Sequence, residues 1–123
     1  MRTIDFASKQ HTTSPIFKKF EALKIPDIIQ LETLKFIHKY EHGNLPPIFK
    51  NWYVKTSEIH NYNTRRKKNS QYYINRTSSN IAANMSVLRR GLLDWNKLTE
   101  KYKGVLCVKK FGSLIKKEIF DKY

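Results

Sequence analysis

The sequence predicts a small, mainly α-helical domain with a minor, irregular antiparallel β component between its third and fourth helices. Three observations predict it. Apolar residues recur at helical spacing between Ser14 and Tyr53, in runs separated by prolines. A segment of the same period runs from Val108, with Phe111, Leu114, Ile115, Ile119 and Phe120 on one side and Lys109, Lys110, Lys116 and Lys117 on the other. Between these lies a stretch rich in Asn and Ser with little periodicity of either kind. A chain of 123 residues suits one domain with a core. Its expected parts are an N-terminal arm (1–13), a helical part (14–58), a basic loop and strand part (59–91) and C-terminal helices (92–123).

In the arm, Ile4 and Phe6 alternate with Thr3 and Asp5, which suits a short edge strand. Ser14 then offers a cap and Pro15 a first helical position, where its missing N–H costs nothing. Ile16, Phe17, Phe20 and Leu23 give that helix one apolar face, and Pro26 is expected to stop it. The second helix is predicted from Asp27 to His42, with Ile28, Ile29, Leu31, Leu34, Phe36, Ile37 and Tyr40 as a broad stripe. Gly43 and Asn44 supply a left-handed stop. After Leu45-Pro46-Pro47, the residues Ile48, Phe49, Trp52 and Tyr53 predict a short third helix. Tyr72-Tyr73-Ile74 and Met85 to Leu88 read as short strands. Leu92, Trp95 and Leu98 restart a helix, Thr99 to Gly104 reads as a polar linker, and the last helix begins at Val108, with Gly112 its weak point. Trp52, Phe36, Trp95 and Phe111 are expected in the core.

Charge narrows the function. Lys and Arg number 24 against 10 Asp and Glu, for a formal net charge of +14. A polyanionic partner explains such an imbalance, as does an A- and T-rich coding bias, since 18 of the 24 are Lys. The distribution is uneven: from Ile59 to Leu93, 35 residues pass without one carboxylate. That window holds Arg65, Arg66, Lys67, Lys68, Arg76, Arg89 and Arg90, interleaved with Tyr62, Tyr72 and Tyr73. Guanidinium and ammonium groups pair with phosphates, and tyrosine rings offer stacking platforms for unpaired bases. These ten residues are the candidate nucleic-acid-binding set; a solvated loop with a chance basic run is the plainer alternative.

Enzyme chemistry finds no support. Two-metal phosphoryl transfer needs clustered carboxylates, and no two of the ten acids are adjacent. His38 and His42 share a helix face, yet position 39 is Lys where the metalloprotease motif needs Glu. No metal ligand set, catalytic residue, cofactor or small-molecule substrate is therefore expected. Cys107, the only cysteine, sits among Val105, Leu106 and Val108 and reads as a small buried apolar residue. No apolar run reaches the length of a membrane span, and Arg2 and Asp5 interrupt any signal-peptide core. The expected location is intracellular, in the nucleus, the cytoplasm or both, with no membrane partner.

Six short elements occur in a recognisable order. They are Arg2-Thr3-Ile4-Asp5-Phe6 with Ser14 to Lys19; Leu23-Lys24-Ile25; Phe36 to Tyr40 leading into Leu45 to Phe49; Tyr62-Asn63-Thr64-Arg65; Gly91 to Leu98 around Trp95-Asn96; and Phe111 to Phe120. In this the chain resembles the region that follows the polymerase domain in non-LTR (LINE-type) retrotransposon reverse transcriptase polyproteins. Leu92 and Thr99 stand where that family's Trp-Asn element carries prolines. The resemblance implies a parent RNA-directed DNA polymerase whose catalytic Tyr/Phe-x-Asp-Asp motif is missing here. The expected function is a non-catalytic basic accessory domain, a truncated or degenerate copy, gripping RNA or DNA backbone without sequence preference. The alternatives are an interaction piece that docks on the reverse transcriptase domain, or a genomic relic without activity.

Overall fold

A computed structural model of the chain describes residues 12–59, 72–74 and 86–123. The described residues are mainly helical. Helix α1 spans Ser14–Lys19, α2 Ile25–Glu41 and α3 Thr56–Ile59; α4 spans Leu92–Lys97, α5 Glu100–Lys103 and α6 Val108–Asp121. A 3₁₀ turn at Pro47–Phe49 follows α2, and a π-helical turn at Val87–Gly91 runs directly into α4.

Both N-terminal helices end in the same backbone device. After α2, Gly43 takes a φ of +70°, its N–H donates to the Tyr40 carbonyl at 3.2 Å, and the Asn44 N–H reaches back to Lys39 at 2.8 Å. This is the Schellman closure expected from Gly43. α1 closes identically, with the Glu21 N–H on Lys18 O at 3.1 Å and the Ala22 N–H on Phe17 O at 3.0 Å. Here the left-handed residue is Glu21, at φ +50°. Helix α1 therefore stops at Lys19, well before Pro26. Pro26 lies instead in the first turn of α2, where no intrahelical N–H is lost, and α2 starts two residues earlier than Asp27. Ser14 does not cap α1. Its Oγ accepts the Lys24 Nζ at 2.6 Å, which ties the start of α1 to the residue before α2.

The core forms where α2, α4 and α6 meet. Leu31, Leu34 and Ile37 of α2 pack with Leu92 and Trp95 of α4 and with Phe111, Ile115 and Ile119 of α6. Trp95 and Phe111 are fully buried, as expected of them. Phe36 is only half-buried. Trp52, expected in the core, keeps 45% of its surface exposed. It packs instead with Phe36 and Phe49 in an outlying aromatic cluster, ring centroids 4.6–6.0 Å apart. The segment around it forms only the 3₁₀ turn Pro47–Phe49 where a short helix is expected.

Gly91 sets the distance between the π-helical turn and α2. A Cβ there would sit 2.5 Å from Thr33 Cγ2 and 2.8 Å from Ile37 Cδ1, so only glycine allows this approach. That packing explains why Val87 and Leu88, predicted in a strand, are helical: Gly91 and Leu92 are drawn onto α2. The expected antiparallel β component reduces, among the described residues, to one bridge between Lys55 and Tyr72, extended by Tyr73 N–H to Val54 O at 2.7 Å. The predicted linker at 99–104 contains helix α5, whose Lys103 is buried with its Nζ 5.8 Å from the Trp95 ring centre. Among the described residues, no helix is long and apolar enough to cross a membrane.

Candidate nucleic-acid interface

Of the ten candidate residues, Tyr62, Arg65, Arg66, Lys67, Lys68 and Arg76 lie outside the described residues. The other four fall into different surroundings. Tyr72 is buried, and its hydroxyl donates to Glu41 Oε2, whose other oxygen accepts Lys55 Nζ at 3.0 Å. Burial first, then the Glu41 hydrogen bond and charge, drive its phenol far above the ordinary range. Its ring lies against Tyr40 and Tyr53. Expected to stack on a base, Tyr72 serves as core instead, since its faces are already covered. Tyr73, its neighbour on the opposite side of the bridge, is 40% exposed and free to stack.

Arg89 and Arg90 sit on the π-helical turn. Arg90 is exposed, and its Nε is 3.5 Å from the buried Asp94 carboxylate one turn on. This pairing holds one edge of the guanidinium and leaves the others to solvent. Arg89 is half-buried.

A denser group of cations lies on α6. Lys109, Lys110, Lys116 and Lys117 are all exposed, and none pairs with a described carboxylate. At about 100° per residue these positions, with Ser113, share one side of the helix. Phe111, Ile115 and Ile119 occupy the other and enter the core. Phe120 falls with the lysines. It is half-buried and does not belong to the core cluster, against the expectation that it extends the apolar stripe. Lys18 and Lys19, also exposed, end the neighbouring helix α1.

Among the described residues, histidine and cysteine show no ligand geometry. His38 is fully buried, stacked on Phe111 with ring centres 4.4 Å apart, and its Nε2–H donates to the Val105 carbonyl. Its Nδ1 and the His42 Nε2 are buried without a described partner, the two rings 4.3 Å apart. Burial holds the His38 imidazole below its ordinary value, opposed by the Val105 carbonyl. Among the described residues no group of three His, Cys, Asp or Glu could hold a metal. Cys107 is exposed, not buried as its neighbours suggest. It precedes the first turn of α6, where the Lys110 and Lys109 backbone N–H groups favour the thiolate.

No protein-family model, curated protein or solved structure matches the chain.

Proposed function

We propose that this chain is a non-catalytic basic accessory domain of a LINE-type reverse transcriptase that holds the phosphate backbone of RNA or DNA without sequence preference. Four exposed lysines on the outward face of α6, none paired with a described carboxylate, carry this reading. A cation already neutralised by a carboxylate gains little from a phosphate; these four gain fully, because binding also releases the counterions condensed on the nucleic acid. The acid-free window brings seven further basic side chains, Arg89 and Arg90 among them, with Arg90 already paired to Asp94. The order of six motifs supports the retrotransposon origin. The test is binding of labelled single-stranded RNA by the full chain and by a variant with Lys109, Lys110, Lys116 and Lys117 changed to Gln. The variant should bind at least about tenfold more weakly at low salt; equal binding sinks the assignment of this face.

A second reading, docking on the polymerase domain, draws on exposed apolar side chains. Ile48 is 79% exposed, Leu106 78% and Trp52 45%. Capture of separately expressed polymerase domain, lost on Trp52→Ala with Ile48→Ser, would favour it.

A further inference from the structure

We infer that the groove between α1 and α6 is a seat for one unpaired nucleotide of a bound strand, with its phosphates on Lys18, Lys116 and Lys117 and its base on Phe120. This rests on the nucleic-acid function proposed above and names the kind of nucleic acid it takes: a single strand and not a duplex. The groove holds about 430 Å³ and is lined by Lys18, Glu21, Ser113, Lys116, Lys117 and Phe120. A nucleotide fits in that volume, and a double helix does not.

Each lining group has a matching part in a nucleotide. Three ammonium groups against the single Glu21 carboxylate leave the groove net positive. Lys18 approaches from α1 and Lys116 and Lys117 from α6, so two successive phosphates can be held from opposite walls. Ser113, one turn before Lys117, offers a hydroxyl that both donates and accepts. Phe120 explains the preference for an unpaired base. It lies on the lysine side of α6, outside the core cluster, in a T-shaped pair with Tyr123, ring centres 5.5 Å apart. Lys116 Nζ sits over the ring, 5.5 Å from its centre, and moves onto a phosphate when a base takes its place. A large apolar ring outside the core cluster and among lysines offers a stacking platform that any base can use. A paired base cannot reach it without leaving its helix.

The test uses fluorescence anisotropy of the full chain with a labelled oligouridine and, separately, a labelled DNA duplex of equal length. The oligouridine should bind more tightly than the duplex at the same salt. Phe120→Ala should weaken oligouridine binding about tenfold while leaving duplex binding unchanged. Phe120→Trp, which keeps a stacking ring if the alanine variant does not fold, should preserve affinity, with its indole emission quenched on binding. Lys18→Ala with Lys117→Ala should reduce the log–log salt slope by about 1.4, at roughly 0.7 per phosphate. Wild-type binding that neither set of variants alters overturns the groove and spares the proposed function. Equal affinity for the duplex also overturns it. No binding to either oligonucleotide overturns both, as does binding confined to phosphatidylserine vesicles.

Discussion

Asn96 and Tyr72 hold each other by two hydrogen bonds. The Asn96 side-chain amide donates to the Tyr72 carbonyl at 3.0 Å, and its oxygen accepts the Tyr72 N–H at 3.0 Å. One side chain thus stands where a neighbouring strand would, satisfying both backbone groups of a buried residue. Its neighbour Trp95 is the fully buried centre of the core. The Trp-Asn pair therefore has a structural account: Trp95 anchors α4, and Asn96 fastens the acid-free window to it at Tyr72. Asn96→Ala should destabilise the fold by about 2 kcal/mol, since two buried backbone groups lose their partners. Asn96→Asp, which keeps only the acceptor, should fall between. Urea midpoints at constant m-value measure both.

Two left-handed helix ends differ in one residue. Gly43 adopts positive φ freely, whereas Glu21 adopts it at a steric cost. Glu21→Gly should stabilise the protein by about 0.5–1 kcal/mol despite the more flexible unfolded chain. A lowered thermal midpoint would contradict the assignment of that turn.

Glycines at close packing should divide. Gly91→Ala places a methyl group against two α2 side chains in the core and should cost about 1–3 kcal/mol. At Gly112 the new Cβ meets only the Lys35 side chain, most closely Cε at 2.7 Å, near the far end of a flexible chain. There the helix-propensity gain of about 1 kcal/mol offsets the displacement, and Gly112→Ala should be neutral or stabilising. Gly112, expected to be a weak point, is tolerated because it lets Lys35 cross α6.

The two long helices were legible because their apolar period persists over several turns: α2 and α6 begin within two residues of expectation, and Gly43 marks the end of α2. What escaped depends on contacts distant in sequence. Nothing at position 21 announces a left-handed turn. Val87 and Leu88 suggest a strand until Gly91 is seen against Thr33 and Ile37. Tyr72 looks like a surface ring until Glu41, 31 residues earlier, takes its hydroxyl. The groove ring is different, since Phe120 shares the α6 side of Lys109, Ser113, Lys116 and Lys117 on a helical wheel. Its place among the lysines follows from spacing alone, and only its apolar side chain suggests the core stripe.

Burial of His38 couples stability to pH. Its imidazole is neutral in the fold and titrates below the 6.5 of an unfolded chain. The unfolded state therefore binds the extra proton first, so the stabilising contribution is full above pH 6.5 and is lost as pH falls towards the lower folded value. The groups facing it are His42 and Glu41 on its own helix, the Val105 carbonyl, and the rings of Phe111 and Trp95. Urea midpoints should decline between pH 7 and pH 5, and His38→Gln should flatten that decline.

Cys107 should react with iodoacetamide in the native protein, without denaturant, and faster at neutral pH than a free cysteine. Mass spectrometry of the alkylated chain measures this. A thiol that reacts only after unfolding would contradict its exposed place before α6.

The most direct test of the proposed nucleic-acid function is the salt dependence of binding to a labelled single-stranded RNA by the unmodified chain. Neutralising about five phosphates predicts a straight log–log plot with a slope near −3.5. Replacing the four outward lysines of α6 by Gln should make that slope shallower by up to about 2.8. Absence of binding at low salt, or binding that salt does not weaken, would contradict a basic domain that grips the phosphate backbone.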